Sequence, residues 1–264
     1  MKLAIAGSSG RMGRMLIEAA LAADDFSIVA ALERPDAPQI GEDCALFLGR
    51  RSGAIITSDM ASIAQADVLI DFTRPEGTLK HLRACVEHRV RAVIGTTGFD
   101  EAGRRQIEQA ARSVPVVFSP NMSVGVNVAF RLVELAARML SEDFDVEIIE
   151  AHHRHKVDAP SGTALRLGEL VANAQGRTLN EVAVHGRHGL TGARPSGGIG
   201  FSVMRGGDLV GEHTVMFAGA GERIEITHRA SSRMTYALGS LRAARFLAQR
   251  GAGLYDMRDV LGLG

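Results

Sequence analysis

One segment of the chain concentrates side chains that are suited to proton transfer. Residues 150–163, EAHHRHKVDAPSGT, carry three of the nine histidines and two cations. A histidine can move a proton near neutral pH, and a lysine such as Lys156 can do so if its pKa falls in a site partly shielded from water. Adjacent residues on a strand face opposite ways, so His152 and His153 can share a site only if the strand ends there. The segment therefore predicts acid–base chemistry.

The end of this segment predicts an anion site. Ser161, Gly162 and Thr163 open an amphipathic helix over residues 164–173. Free backbone N–H groups at a helix start can hold a carboxylate, and Lys156 would add positive charge. The substrate is therefore expected to be a small anion.

The residue types of the same segment also allow other chemistries. A metal could use His153, His155 and Asp158, but the fixed charges of Arg154 and Lys156 disfavour a dication, so no metal is expected. The Pro-Ser-Gly-Thr run lacks the G-x-S-x-G frame of a nucleophile elbow, which excludes that kind of hydrolase. A solvated basic loop, whose histidines only cap or pack, remains an alternative.

A glycine-rich turn near the N-terminus predicts a nucleotide site. Residues 7–13, GSSGRMG, lie between an apolar strand and a helical pattern over residues 11–23. A dinucleotide pyrophosphate binds at such a turn, against free N–H groups and the positive end of the helix dipole. Ser9 stands where the usual motif has its middle glycine. A turn that only packs helix on strand is the alternative.

The residues after the second apolar strand bear on the choice of cofactor. Glu33 follows the strand predicted at residues 26–32 and could accept hydrogen bonds from a ribose diol. Arg34 and Arg11 could instead meet the 2′-phosphate of NADP. Both NADH and NADPH are therefore expected to bind, with an exposed Glu-Arg pair as the alternative.

Two further strand ends could line the nicotinamide half of such a cofactor. They are residues 71–75, DFTRP, and residues 95–98, GTTG. Ligands of doubly wound sheets lie beyond the carboxyl ends of the strands. Ordinary turn chemistry explains these residues equally well.

The elements that would position these residues alternate in the first half of the chain. Helical patterns at residues 76–87 and 100–112 separate the later apolar runs, which indicates a doubly wound, Rossmann-like parallel sheet of the α/β class. The apolar runs lie at residues 2–6, 26–32, 54–57, 68–72, 92–94 and 114–118.

The alternation stops after Asn121. A long helix at residues 124–140 leads to a strand at 145–151, and residues 199–229 contain three β-rich segments joined by Gly-rich turns. These segments predict an antiparallel meander, and a final helix follows at 234–249. The second half therefore predicts an α+β domain with a mostly antiparallel sheet.

Composition excludes several partners. The 264 residues include 30 basic and 30 acidic side chains, so no overall positive field favours nucleic acid or an anionic membrane. No apolar run approaches membrane-spanning length, and the first glycine turn comes too early for a signal peptide. We therefore expect a cytoplasmic protein. Cys44 and Cys85 lack CxxC spacing and are expected to be reduced structural thiols.

The motifs together resemble those of the 4-hydroxy-tetrahydrodipicolinate reductases, also called dihydrodipicolinate reductases, of bacterial diaminopimelate and lysine biosynthesis. The likeness covers nearly the whole chain, and the long histidine motif is far more specific than the glycine turn. The matching segments are GSSGRMG, DFTRPEGTL, IGTTGF, NMSVGVN, EAHHRHKVDAPSGTA, VGEHTVMF, EITHRASSRM and YDMRDVL.

The resemblance implies a role for each matching residue. It implies that His152 is the catalytic proton donor or acceptor and that Lys156 is a second proton donor. The substrate's carboxylates would be held by His153, Ser161, Gly162 and Thr163. The cofactor would be contacted by Gly7, Ser8, Ser9, Gly10, Arg11, Met12, Glu33, Arg34, Gly95, Thr96, Thr97, Ser119, Pro120, Asn121 and Met122. The Ser119-Pro120 pair departs from the small residues, such as alanine, that relatives often carry.

The resemblance also implies the domain plan and the assembly. Residues 1–123 with 233–264 would form the dinucleotide-binding domain, and residues 124–232 a substrate-binding domain that joins subunits into a homotetramer. The expected reaction is NADH- or NADPH-dependent reduction of a small dicarboxylate, 4-hydroxy-tetrahydrodipicolinate. The rival hypotheses are another two-domain dehydrogenase and a non-catalytic nucleotide sensor.

Overall fold

A computed structural model describes residues 1–140 and 143–263, which divide into two compact units, Met1–Val124 with Arg233–Gly264 and Gly125–Ser232. The strands are β1 (Lys2–Ala6), β2 (Ser27–Leu32), β3 (Ile56–Thr57), β4 (Val68–Asp71), β5 (Arg91–Ile94), β6 (Pro115–Phe118), β7 (Asp145–His152), β8 (Ala183–His185), β9 (Ile199–Arg205), β10 (Gly211–Ala218), β11 (Arg223–Ala230) and β12 (Gly253–Tyr255). The helices are α1 (Arg11–Leu21), α2 (Pro75–His88), α3 (Glu101–Ala111), α4 (Val124–Met139), α5 (Gly162–Ala174), α6 (Leu179–Val182), α7 (Met234–Leu247) and α8 (Met257–Leu261).

The first unit contains a Rossmann-like sheet, as the alternation of strands and helices predicted. In its described part, seven strands lie in the order β12-β6-β5-β4-β1-β2-β3, and the paired strands run parallel. The chain reverses its direction of winding between β1 and β4. In sheets of this kind, ligands bind at the carboxyl ends of the strands beside that reversal.

Both faces of this sheet are covered. Alternate residues of β1 enter different apolar clusters, since Leu3 and Ile5 lie in one and Ala4 and Ala6 in the other. The first cluster includes side chains of α1 and α7. Burial on both sides explains why these strands are continuous apolar runs rather than alternating ones.

The second unit contains a mixed sheet. In its described part, five strands lie in the order β11-β10-β7-β9-β8. Strand β10 is antiparallel to both β11 and β7, whereas β9 is parallel to both β7 and β8.

The predicted meander is correct for β10 and β11 and wrong for β9, which pairs with β7 instead of β10. The turn after β9 crosses the carboxyl end of β7, where Gly206 N–H donates to His152 O and Arg154 N–H donates to Gly207 O. Gly207 has a φ of +51°, a conformation that glycine adopts without strain. Spacing alone does not distinguish this crossing from a hairpin turn.

One face of the second sheet changes from apolar to polar along β7. Val146 and Ile148 lie in the apolar core, and the same alternation continues into buried Glu150 and His152. On β10, His213 is the partner of Glu150 in the strand register. Polar side chains thus lie beside the apolar core-facing residues of both strands, at the same end of the sheet.

Both cysteines lie in the described part of the chain and are buried free thiols. Burial raises the pKa of the Cys44 thiol and of the Cys85 thiol, which disfavours the reactive thiolate. Across residues 1–140 and 143–263, no helix combines the length and apolar character that crossing a membrane requires.

Candidate active site

The glycine turn of the first unit has the geometry of a pyrophosphate site. Gly7 has a φ of +66°, and a Cβ on Gly13 would lie 2.1 Å from Gly7 O. Glycine is therefore required at Gly7 by the backbone conformation and at Gly13 by the lack of space for a side chain. Helix α1 follows Gly10, which has no side chain to cap it, so the first N–H groups of the helix remain for an external acceptor. These features fit a dinucleotide.

Glu33 is tied to this turn. Its Oε2 accepts hydrogen bonds from Ser9 N–H at 3.2 Å and Ser9 Oγ at 2.5 Å, and its Oε1 accepts one from Arg34 N–H at 3.0 Å. A carboxylate has further lone pairs for a ribose diol. The Arg34 side chain is 77% exposed and 3.6 Å from Asp36. The structure thus brings Glu33 to the turn and leaves the Arg34 guanidinium in solvent.

A buried polar network occupies the ends of β4 and β5. Asp71 accepts hydrogen bonds from Thr73 N–H and Oγ1, each at 2.7 Å, and lies 2.7 Å from His81 Nδ1. Burial alone would raise the pKa of Asp71, but hydrogen bonding and charge at His81 lower it overall. Thr78 Oγ1 donates to Thr96 Oγ1 at 2.8 Å. The Thr96 hydroxyl therefore belongs to this network.

The remaining predicted cofactor contacts differ in accessibility. A Cβ on Gly95 would lie 2.2 Å from the Phe72 ring, so only glycine allows this packing. Ser119 Oγ donates to Asn121 O at 3.1 Å. Met122 is fully buried in the core. Its side chain is therefore not available to line a cofactor, whereas Thr97 and Pro120 are exposed.

The candidate proton-transfer group is His152, held by a buried carboxylate. Its Nδ1 lies 2.6 Å from Glu150 Oε2, and the Glu150 side chain is fully buried. Arg205, the last residue of β9, donates from Nη1 to Oε2 and from Nη2 to Oε1, both at 2.8 Å. Burial alone would raise the pKa of Glu150, but hydrogen bonds from Arg205, His152 and Ser161 N–H lower it overall.

Ser161 links this cluster to the start of α5. Its N–H donates to Glu150 Oε1 at 2.9 Å, and its Oγ accepts from Ala164 N–H at 3.2 Å as the helix N-cap. Ser161 Oγ also lies 3.0 Å from His213 Nε2. The buried Ser161 hydroxyl is thus engaged within the protein. Gly162 and Thr163 occupy the first turn, where helix N–H groups lack partners within the helix.

His213 is the second buried histidine of the cluster. Its ring and that of His152 meet edge to face, with centroids 5.1 Å apart. Burial lowers the pKa of His213 to about 4, and the neighbouring His152 adds to this effect. His213 is therefore a neutral imidazole near neutral pH.

The loop between β7 and α5 carries the remaining predicted residues. Lys156 Nζ pairs with Asp158 Oδ1 at 2.8 Å, and the Lys156 side chain is only 21% exposed. The Asp158 carbonyl accepts a hydrogen bond from Arg205 Nη2 at 2.6 Å, which ties the loop to the Glu150 cluster. Among the described residues, no three His, Cys, Asp or Glu side chains form a group that could hold a metal ion.

Sequence reasoning did not assign roles to Glu150, Arg205 and His213. The alternation of apolar side chains along two strands could have indicated that Glu150 and His213 are buried. Val146 and Ile148 on β7, and Val215 and Phe217 on β10, mark the core-facing positions. Glu150 and His213 continue those series, and a charged or titratable residue at a core-facing position requires a partner.

A Rossmann-like unit with a pyrophosphate turn, joined to a unit that buries a carboxylate-held histidine beside a helix start, defines a two-domain nicotinamide-dependent oxidoreductase. Comparisons with known proteins specify the family. Residues 1–122 match the family model "Dihydrodipicolinate reductase, N-terminus", and residues 125–261 match "Dihydrodipicolinate reductase, C-terminus". The chain belongs to the dihydrodipicolinate reductase family and is an NAD(P)H-dependent oxidoreductase.

Individual relatives agree with this assignment. The 4-hydroxy-tetrahydrodipicolinate reductase of Burkholderia pseudomallei (strain 668) is 61% identical over 264 residues, which cover 100% of both chains. That of Herminiimonas arsenicoxydans is also 61% identical, over 100% of this chain and 98% of its own. A dipicolinate-bound dihydrodipicolinate reductase from Paenisporosarcina sp. TG-14 has a TM-score of 0.79 and 25% identity over 98% of both chains.

Proposed function

We propose that the protein reduces 4-hydroxy-tetrahydrodipicolinate to tetrahydrodipicolinate in diaminopimelate and lysine biosynthesis. The identity of 61% over the full length of a reductase of that name supports the substrate. The dipicolinate-bound neighbour supports a small dicarboxylate as the ligand class. When bound, NADH or NADPH supplies the hydride. A proton is added with it, and the 4-hydroxyl group of the substrate leaves as water.

The observation that carries this proposal is the double use of Glu150. The same carboxylate accepts hydrogen bonds from His152 Nδ1 and from Ser161 N–H. It therefore holds a proton-carrying imidazole and the N-terminus of α5 close together. A reductase needs a proton donor beside the group that receives the hydride, and a dicarboxylate substrate needs fixed N–H donors nearby.

This arrangement supports the role of His152, and the family resemblance supports the remaining assignments. His152 carries the transferable proton and Lys156 is the second proton donor, with a charge that also favours a carboxylate. His153, Gly162 and Thr163 hold the substrate's carboxylates. Ser161 contributes by capping α5, because its hydroxyl is engaged with Ala164 and His213.

The cofactor belongs to the first unit in this proposal. Residues 7–12 bind the pyrophosphate, and Glu33 and Arg34 read the adenosine ribose. Residues 95–97 and 119–122 approach the nicotinamide half, with Thr96 and Met122 contributing backbone atoms because their side chains are engaged or buried.

The domain roles and the assembly complete the proposal. Residues 1–123 with 233–264 bind the dinucleotide, and residues 124–232 bind the substrate and join subunits into a homotetramer. We place the enzyme in the cytoplasm, where reduced nicotinamide cofactors are available and thiols such as Cys44 and Cys85 remain reduced.

A coupled assay tests the activity. The upstream synthase forms the substrate in place from pyruvate and aspartate semialdehyde, and the loss of NADH absorbance is followed after this protein is added. We expect NADH oxidation that requires both proteins, with reactions lacking either one as controls. A protein that binds NADH but oxidises none under these conditions is a nucleotide sensor, and the proposal is then wrong.

A further inference from the structure

The Glu150 carboxylate is surrounded by hydrogen-bond donors. Both of its oxygens accept from Arg205, Oε1 also accepts from Ser161 N–H, and Oε2 lies against His152 Nδ1. An arginine and a backbone N–H cannot accept a hydrogen bond in return. Three of the four contacts therefore come from fixed donors, two of them from one guanidinium, and together these hydrogen bonds lower the pKa of Glu150, so the group is a carboxylate.

An ionised Glu150 determines the protonation of the imidazole it contacts. A carboxylate has no hydrogen to donate, so the hydrogen of the 2.6 Å contact belongs to His152 Nδ1. In the neutral ring the lone pair is then on Nε2, and in the charged ring Nε2–H is the proton that can leave. A Cβ on Gly211 would lie 3.0 Å from His152 Nε2, so glycine limits crowding on that side.

From this geometry we infer that Glu150 is a positioning residue that fixes His152 in its Nδ1–H tautomer and makes Nε2 the atom that delivers the proton. The inference rests on the proposed function for the use of that proton. Arg205 and Ser161 act one step further away by holding Glu150. His152 Nε2–H gives its proton to the substrate, and the neutral ring keeps its Nδ1–H on Glu150.

The variant Glu150→Gln separates this role from simple packing. Glutamine has nearly the same shape, but one of its ends is an NH₂ group. Either end of the amide meets an N–H of Arg205, so that contact does not choose between the two orientations. If the NH₂ end faces Ser161, it also meets a backbone N–H, which cannot become an acceptor. If it faces His152, the ring can accept on Nδ1 by moving its proton to Nε2. We therefore expect the variant to invert the tautomer of His152.

Nitrogen-15 NMR of the imidazole ring reads the tautomer directly, in the absence of substrate. The His152 signal is assigned by its loss in His152→Gln. We expect the Nδ1–H form in the neutral ring of the parent protein and the Nε2–H form in Glu150→Gln. An Nε2–H form in the parent overturns the inference even if the variant does not fold, and so does an unchanged tautomer in a folded variant.

Kinetics of the same variant test the functional consequence. We expect kcat to fall by roughly 10²–10⁴-fold, as when a general acid is held in the wrong tautomer, while the affinity for NADH is unchanged. The matched control is Glu147→Gln on the same strand, since Glu147 also pairs with arginines, Arg187 at 2.9 Å and Arg194 at 3.1 Å. The control should keep the parental tautomer and a kcat within about twofold.

The two readouts distinguish two kinds of failure. An inverted tautomer with an unchanged kcat leaves the role of Glu150 in orienting the ring intact and contradicts the use of His152 as the proton donor. An unchanged tautomer with a reduced kcat contradicts the positioning role and leaves the proposed function standing.

Discussion

Arg34 combines exposure with a position beside the proposed ribose site. Its guanidinium is free to turn toward a 2′-phosphate because the contact to Asp36, at 3.6 Å between exposed groups, is weak. We predict that Arg34→Ala lowers kcat/KM for NADPH by roughly 10- to 100-fold, the loss of one charge-assisted interaction. With NADH the value should stay within about threefold. Steady-state kinetics with both cofactors measures this difference, and equal losses would remove the assigned role.

At the level of residues, the sequence predicted the candidate proton-transfer groups but not the residues that hold them. His152, Lys156 and the Ser161 helix start could be found because they lie within one short segment. Arg205 and His213 reach the same cluster from strands about fifty residues further along the chain. They lie beside Glu150 because β9 and β10 both pair with β7, and this pairing could not be predicted from the sequence.

Protonation of His213, which is buried on β10, makes the free energy of unfolding depend on pH. The pKa of His213 is about 4 in the folded protein, below the ordinary value of 6.5. The unfolded chain therefore takes up a proton as the pH falls through 6.5, whereas the folded chain does so only near 4. We predict that the free energy of unfolding decreases over this interval by up to about 3 kcal/mol.

The variant His213→Gln isolates this contribution. Denaturant unfolding at several pH values between 4.5 and 7 should show a weaker pH dependence than in the parent. Part of the dependence should remain, because burial also lowers the pKa of His228. His188→Gln, in an exposed loop position, serves as the control and should keep the parental slope. The same slope in His213→Gln as in the parent would contradict the prediction.

At the level of elements, the long periodic segments were predictable and the short ones were not. The strands and helices of the first unit follow the predicted alternation closely. Strands β8 and β12 have three residues each, too few to show a period of two. The placement of β9 depended on a turn that crosses β7, and a Gly-rich turn looks the same in sequence whether it closes a hairpin or crosses a strand.

The proposed assembly depends on the outer face of the second sheet. Met204 on β9 is 54% exposed, and it follows Val203, the register partner of the core-facing Glu150, so it points to the opposite face. Methionine is enriched in subunit interfaces relative to the rest of the surface, so Met204 is the side chain with which we test this face. We predict a tetramer by light scattering at assay concentration and a smaller species for Met204→Glu.

The control for this prediction is an apolar side chain of similar exposure in the other unit. Leu46 is 45% exposed, and Leu46→Glu should leave the mass unchanged. A monomeric parent protein would overturn the proposed homotetramer. A tetrameric Met204→Glu protein would instead remove this face from the interface.

At the level of the whole molecule, the motifs predicted the class of protein. The spacing of apolar residues did not predict which unit the C-terminal segment joins. Residues Arg233–Gly264 belong with the first unit, where Ala237 and Leu241 of α7 share a core cluster with Leu16 of α1. A helical pattern states which face is apolar but not which sheet it covers. The prediction that the chain returns to the first unit rests on the family resemblance, because its motifs extend over both units.

The proposed acid–base role of His152 is tested by the rate of the His152→Gln enzyme. Proton delivery matters in the transition state, whereas carboxylate binding matters throughout. We predict a kcat lower by roughly 10²–10⁴-fold with NADH binding intact, while His153→Ala mainly raises KM. The measurement is kcat from NADH absorbance, with NADH affinity determined separately on folded protein. If folded His152→Gln binds NADH normally and turns over within about twofold of the parent, His152 is not the proton donor.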